Sequence, residues 1–176
     1  MIRTKKDLKI YKEYEKKLYY KNNISSLGSI LPFALREKDI LFKYVCRLRM
    51  TEYHVNSGHK FRGFIWNILL HKMNNKYAIH IPINTCDMGL SIAHVGPIII
   101  NQNCKIGKDL RIHVGVNIGE KDGFPVIGNN VFIGPGAKIF GAIKIADNCK
   151  IGANAVVNKS FTDAGVTLIG VPAHQV

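Results

Sequence analysis

The sequence lacks the features that mark membrane-spanning, nucleotide-binding and zinc-binding proteins. Its 176 residues contain no apolar run near the roughly 18 residues that a transmembrane helix needs. The four cysteines include no Cys-x-x-Cys pair, so we expect free thiols and no metal site. Neither a Walker motif nor Gly-x-Gly-x-x-Gly occurs, which argues against ATP or NAD chemistry. The N-terminus leads into a charged segment without an apolar signal core, so we expect a cytoplasmic protein.

Acidic residues are scarce, and the resulting positive charge is unevenly placed. Asp and Glu number 12 against 25 Lys and Arg, for a net charge of +13. Residues 1–78 hold 17 Lys and Arg and 6 Asp and Glu, a net +11, which leaves +2 for residues 79–176. Such an excess can favour anionic lipid, nucleic acid, an acidic polymer or the phosphates of a cofactor as a partner, although we expect no nucleic-acid partner. A solvated helical surface is the simpler explanation of the same charge.

Residues 106–157 repeat an aliphatic residue every six positions, except for one step of nine between Ile118 and Ile127. A second apolar residue lies two positions before each of these. A period of six fits neither an α-helix nor a single strand, and it predicts a coiled ribbon of short parallel strands, a β-helix. Glycine often follows the aliphatic residue, where a corner could require positive φ. The aliphatic series is Ile106, Ile112, Ile118, Ile127, Ile133, Ile139, Ile145, Ile151 and Val157.

Residues 1–78 are predicted to be helical. Thr4 and Asp7 resemble an N-terminal cap, and Leu8 and Leu18 follow helical spacing behind it. The predicted helices cover 4–21, 32–40, 41–53 and 60–73, with a loop at 22–26 and Pro32 opening the second helix.

The last predicted helix carries many apolar side chains at helical spacing, and we expect them to form core and not a ligand site. These residues are Phe61, Phe64, Ile65, Ile68 and Leu69, with Trp66 beside them.

Two irregularities interrupt the repeat. Two extra residues lie between Ile92 and Ile100, and they predict an outward bulge that contains His94. The nine-residue step produces a loop over residues 120–125. Loops that leave a regular scaffold are common places for functional sites.

Residues 92–173 resemble the hexapeptide-repeat acyltransferases, and most closely the serine acetyltransferase group. The resemblance implies a mainly β fold, a left-handed parallel β-helix over 79–176, preceded by a helical region over 1–78. It also implies that the chain closes with a Gly-Val-Pro-Ala arm. The motifs that carry the resemblance are Ile92-Ala93-His94, Ile99-Ile100-Asn101, residues 112–119, residues 133–139 and Gly170-Val171-Pro172-Ala173.

With three hexapeptides per coil, as in this family, Ile92, Ile112, Ile133 and Ile151 should stack along one edge. His94 and His113 should then lie on adjacent coils near one corner, close to the 120–125 loop. By resemblance His94 is the general base that deprotonates an acceptor hydroxyl, which attacks the thioester of acetyl-CoA. His113 could orient His94 or bind the acceptor.

The resemblance further implies that acetyl-CoA is bound between subunits of a homotrimer, each with about four coils. Small corner residues would let its pantetheine arm pass, and two lysines could meet its phosphates. The predicted cofactor-binding residues are Gly119, Gly134, Pro135, Gly136, Lys138, Gly152, Ala153 and Lys159.

The chain departs from the serine acetyltransferase pattern, because Ala93, Ile79 and Phe124 stand where that group has charged residues. We therefore expect an acetyl-CoA-dependent O-acetyltransferase acting on a sugar or surface polysaccharide. The alternatives are serine O-acetylation and a non-enzymatic β-helix scaffold whose basic helices bind a membrane surface or nucleic acid. Asp87, Glu120 and Asp122 are the candidate carboxylates for His94, and Asp87, Glu120 and Phe124 are the candidate acceptor-binding residues.

Overall fold

The computed structural model describes residues 1–20 and 36–176. The predicted loop at 22–26 and the predicted helix start at Pro32, with Phe33 and Leu35, lie outside these residues. Three helices come first along the described chain. They are α1 (Lys5–Tyr20), α2 (Glu37–Asn56) and α3 (Lys60–Tyr77).

The first helix begins where the cap predicts. The backbone N–H of Asp7 donates to the Thr4 hydroxyl at 3.1 Å, and the N–H of Thr4 donates to the Asp7 carboxylate at 2.9 Å. This reciprocal pair satisfies donors that a helix N-terminus leaves free. No helix of the described residues is both long enough and apolar enough to cross a membrane.

Short parallel strands follow and form a three-faced solenoid of five turns, one more than expected. The first face holds β1 (Ile79–His80), β3 (Ile98–Ile100), β6 (Asn117–Gly119), β9 (Lys138–Phe140) and β12 (Val156–Val157). The second face holds β4 (Lys105–Ile106), β7 (Val126–Ile127) and β10 (Lys144–Ile145). The third face holds β2 (Ser91–Ile92), β5 (Arg111–Ile112), β8 (Phe132–Ile133), β11 (Lys150–Ile151), β13 (Thr167–Ile169) and the antiparallel β14 (His174–Gln175).

The repeat residues form the core, as predicted. Ile92 pairs with Ile112, Ile112 with Ile133, and Ile133 with Ile151, and all four side chains are buried. Each further buried methylene contributes about 0.8 kcal/mol, so five stacked turns of aliphatic side chains hold the solenoid together. The inward cysteines Cys104 and Cys149 are also buried, as free thiols.

The corner glycines have a different role from the one expected. Positive φ occurs two or three positions after the corner residue and not at it, for example at Asn130 and Asn148 (φ 53° and 62°). Gly134 is instead required by close stacking, because a Cβ there would lie 2.9 Å from the backbone nitrogen of Ala153. The next turn of the solenoid occupies the space that a side chain would need.

A buried charge cluster fixes the helices to the first turn of the solenoid. The Arg49 guanidinium pairs with Glu15 at 2.7 Å and with Glu52 at 2.9 Å. It also donates to the carbonyl oxygens of Cys86 and Asp87 at 2.9 and 2.7 Å. All three charged side chains are almost completely buried, so α1 and α2 are held in one orientation against the strands.

Candidate active site

His94 lies in a loop that bulges from the corner between the third and first faces. Ile92 pairs with Ile112, and Ile100 pairs with Ile118. The step from the third face to the first is therefore eight residues long here and six residues long on the next turn of the solenoid. The two extra residues predicted from the sequence are confirmed.

Glycine lets this loop lie close against the next turn. A Cβ on Gly96 would come within 2.9 Å of the Val114 side chain, and its φ of 155° disfavours other residues. The carbonyl oxygen of Pro97 accepts the N–H of Gly115 at 2.6 Å. The loop is therefore a packed segment that holds His94 in place.

His113 lies directly beside His94, on the next turn and at the same corner. The two imidazole rings have centroids 6.1 Å apart, with 57° between their planes. The edge of Phe132 packs on the His113 ring at 5.1 Å. Burial and then the positive charge of Arg111 lower the pKa of His113, with a smaller contribution from the neighbouring His94 ring, and this shift favours the neutral imidazole of His113.

A carboxylate from helix α2 holds the His94 ring. Oε2 of Glu37 lies 3.2 Å from Nδ1 of His94, and Oε1 accepts the N–H of Val95 at 2.8 Å. The Val95 N–H and then the His94 ring lower the pKa of Glu37, so the carboxylate is ionised at neutral pH. Because a carboxylate only accepts hydrogen bonds, the neutral form of His94 carries its proton on Nδ1 and has its free lone pair on Nε2.

The carboxylates expected near His94 are elsewhere. Asp87 accepts the Tyr11 hydroxyl and the Met88 N–H, at the corner between the second and third faces. Glu120 and Asp122 lie in the loop between the first and second faces. The expectation that one of them orients His94 is wrong, because the helical region supplies Glu37 instead.

The 120–125 loop does not meet His94 within one chain. It follows β6 and precedes β7, so it lies at a different corner of the solenoid. Phe124 is half-buried and packs against the core of its own turn. Ile79 is completely buried in the first strand. The apolar residues at these two positions are therefore explained by packing and are weak evidence about an acceptor.

The predicted cofactor residues divide between two corners. Gly134 and Gly152 follow β8 and β11 at the corner of the two histidines, together with Pro135, Gly136 and Ala153. Lys138 reaches the same corner, where its ammonium donates to the carbonyl oxygen of Gly115 at 2.6 Å. Gly119 and Lys159 lie at the corner between the first and second faces. On the turns of the solenoid that follow His94 and His113, the same corner is therefore lined by small residues.

Sequence reasoning missed Glu37. This residue is in the first turn of α2, outside the repeat, and only the packing of the helices on the solenoid brings it to His94. Its place beside other charged residues gives no signal in the sequence.

Known proteins match both the repeat and the wider chain. Residues 124–159 match the family described as "Bacterial transferase hexapeptide (six repeats)". A serine acetyltransferase of Buchnera aphidicola subsp. Schizaphis graminum is 29% identical over 173 residues, covering 88% of this chain and 66% of that protein. The Helicobacter pylori serine acetyltransferase is 41% identical over 93 residues, covering 50% of this chain and 54% of its own length. The chain thus spans two thirds or less of these relatives.

Solved structures match almost the whole chain. The serine acetyltransferase of Neisseria gonorrhoeae has a TM-score of 0.76 at 26% identity, covering 98% of this chain and 68% of that protein. Its complex with serine has a TM-score of 0.77 at 25% identity, covering 98% and 70%. A serine acetyltransferase solved with CoA shares the fold at 24% identity and a TM-score of 0.75, covering 98% and 71%. The chain therefore contains a hexapeptide-repeat solenoid and is similar, over most of its length, to serine acetyltransferases.

Proposed function

We propose that this chain is an acetyl-CoA-dependent O-acetyltransferase in which His94 is the general base. The observation that carries the proposal is the 3.2 Å contact between Nδ1 of His94 and the Glu37 carboxylate. This contact leaves Nε2 free to accept a proton and stabilises the imidazolium that then forms. The names of the similar proteins support the same reaction.

In the proposed step, Nε2 of His94 takes the hydroxyl proton of the acceptor. The acceptor oxygen attacks the carbonyl carbon of the acetyl thioester, and the carbon–sulfur bond then breaks. The departing thiolate receives the proton from His94, so the products are the acetyl ester and free CoA. Positioned general-base help of this kind contributes roughly 10²- to 10⁴-fold to rate.

We propose serine as the acceptor. The prediction of a sugar acceptor is not supported by the comparisons, since the relatives reported above are serine acetyltransferases and one was solved with serine. The Glu37 side chain is 48% exposed, so its carboxylate has room for a further donor, such as the ammonium group of serine. Arg111 is a candidate partner for the serine carboxylate, because its charge lowers the pKa of His113 and therefore acts at this corner.

Acetyl-CoA fits the corner that continues from the two histidines. Gly134 and Gly152 give that corner two positions without side chains, and Lys138 places an ammonium group there. We assign these residues to the pantetheine arm and to a CoA phosphate.

We also propose that the site is completed in a homotrimer. His94 and the 120–125 loop lie at different corners of one chain, and a second chain is the simplest way to bring them together. The exposed Glu120 would then reach the acceptor from the neighbouring subunit, whereas Phe124 is packed on the core.

An acceptor panel tests the proposal. CoA release from acetyl-CoA is measured with L-serine, serinol and simple sugars, with kcat/KM determined for each. Serine should exceed serinol, which lacks the carboxylate, and both should exceed the sugars. A sugar that is better than serine by tenfold or more would refute the acceptor, and absence of CoA release with every acceptor would refute the enzyme.

A further inference from the structure

Helix α3 presents an apolar surface to solvent, although sequence spacing predicted that these side chains are core. Phe61 and Phe64 are 76% and 65% exposed, and Ile65 and Ile68 are 39% and 41% exposed. We call these four residues the outer face of α3. A cluster of large apolar side chains on a protein surface marks a place where another apolar surface binds.

The packing of α3 explains why this face points outward. The buried residues of α3 are Gly63, Leu70 and Asn74. A Cβ on Gly63 would lie 3.4 Å from the Val55 side chain, so the glycine allows α3 to lie close to the end of α2. One side of the helix is packed on α2, and the outer face has no covering partner among the described residues 1–20 and 36–176.

The charge around the outer face identifies the kind of partner. Helix α3 contains four Lys and Arg residues and no Asp or Glu. All four are exposed: Lys60 and Arg62 flank Phe61, and Lys72 and Lys76 continue the outer face by one and two turns. Exposed phenylalanine and isoleucine side chains beside lysine and arginine offer an apolar surface together with positive charge, which the surface of an anionic membrane complements.

We propose that the outer face of α3 docks on the surface of a membrane that contains anionic lipids. The aromatic and aliphatic side chains enter the boundary between headgroups and acyl chains, and the four cations lie at the level of the lipid phosphates. The helix stays parallel to the membrane, because its other side remains packed on α2. The proposal does not depend on the acetyltransferase reaction.

A two-fold pairing of two copies through the outer face fits its charge less well. In a two-fold symmetric pairing the same patch meets itself, so the cations of one α3 would face the cations of the other with no carboxylate on either helix. An anionic surface satisfies both the apolar residues and the charge.

Vesicle co-sedimentation of the full chain tests the proposal. Vesicles of phosphatidylcholine with roughly 30% phosphatidylglycerol should bind the protein, and vesicles of phosphatidylcholine alone should bind it at least about tenfold more weakly. The double variant Phe61→Ser/Phe64→Ser should lose about tenfold or more of the binding to anionic vesicles. The variant Lys72→Glu/Lys76→Glu should lose binding to a similar extent.

The matched control is Ile10→Ser/Leu18→Ser, which removes two partly exposed apolar residues from α1. This control should bind as the wild type does. Absence of binding to anionic vesicles, equal binding to neutral vesicles, or unchanged binding of Phe61→Ser/Phe64→Ser would each overturn the proposal. Light scattering provides the last test: a smaller oligomer in Phe61→Ser/Phe64→Ser would assign the face to a second copy instead.

Discussion

Glu37 and His94 are 57 positions apart in the chain, yet their carboxylate and imidazole nitrogen lie 3.2 Å from each other. One oxygen of Glu37 meets the ring, and the other accepts the neighbouring Val95 N–H at 2.8 Å. The helical region therefore contributes directly to the candidate site. The solenoid supplies the histidines, and the first turn of α2 supplies the group that orients one of them.

Glu37→Gln should lower kcat/KM by about ten- to a hundredfold, because a hydrogen bond to a charged group contributes roughly 1.5–3 kcal/mol. The amide keeps the shape of the side chain but not the charge that stabilises the imidazolium. The effect should appear in kcat and in the KM for serine, with the KM for acetyl-CoA unchanged. Glu13→Gln, an exposed glutamate of α1, is the control. A clear fall in the melting temperature of Glu37→Gln, together with the loss of activity, would indicate a structural role for Glu37.

Arg111→Gln should raise the pKa of His113. Burial is the larger cause of its lowered pKa and remains in the variant, whereas the repulsion by the Arg111 charge is removed. Titration of the His113 ring by NMR measures the shift, and the protonated form should appear at higher pH than in the wild type. Arg111→Lys keeps the charge and should leave the titration near the wild-type curve. An unchanged pKa of His113 in Arg111→Gln would show that the Arg111 charge does not act on His113.

Sequence periodicity predicted the solenoid well because the six-residue repeat reports directly on which side chains face inward. Together with the coil of three hexapeptides that the family resemblance implies, it placed Ile92, Ile112, Ile133 and Ile151 in one stack and, through them, His94 beside His113. These relations depend on spacing along the chain, which a sequence contains.

Contacts between the helices and the solenoid could not be predicted in the same way. Glu37 reaches His94 only because the buried pairing of Arg49 with Glu15 sets the position of α2. The side of α3 that faces outward is likewise determined by Gly63 and its contact with Val55. Helical spacing groups Phe61 with Ile65 and Ile68, but it does not tell which side of the helix is covered.

Arg49→Met should destabilise the fold by about 3–5 kcal/mol, since it leaves two buried carboxylates without a counter-charge. Chemical denaturation measures the loss. The triple variant Glu15→Gln/Arg49→Met/Glu52→Gln removes the uncompensated charges and should recover much of the stability. If Arg49→Met unfolds at the wild-type denaturant concentration, the buried cluster does not hold the helices in place.

The protein should be a homotrimer in solution, as the resemblance to the hexapeptide-repeat acyltransferases implies, and a neighbouring chain would then bring a 120–125 loop to the histidine corner. Light scattering at micromolar concentration should give three times the 19.7 kDa mass of the chain, or a multiple of that trimer. Glu120→Ala should then alter the KM for serine without changing the mass. A stable monomer that is fully active would remove the second chain from the site.

The most direct test of the account is serine-dependent CoA release by the wild type and by His94→Ala, with the ester product identified by mass spectrometry. The account predicts O-acetylserine and CoA in equal amounts from the wild type, and a turnover at least about a hundredfold lower in His94→Ala. Acetyl-CoA binding, measured by calorimetry, should be unchanged, and His71→Ala, an exposed histidine of α3, should behave as the wild type. Wild-type turnover in His94→Ala, or no serine-dependent CoA release by the wild type, would contradict the central claim.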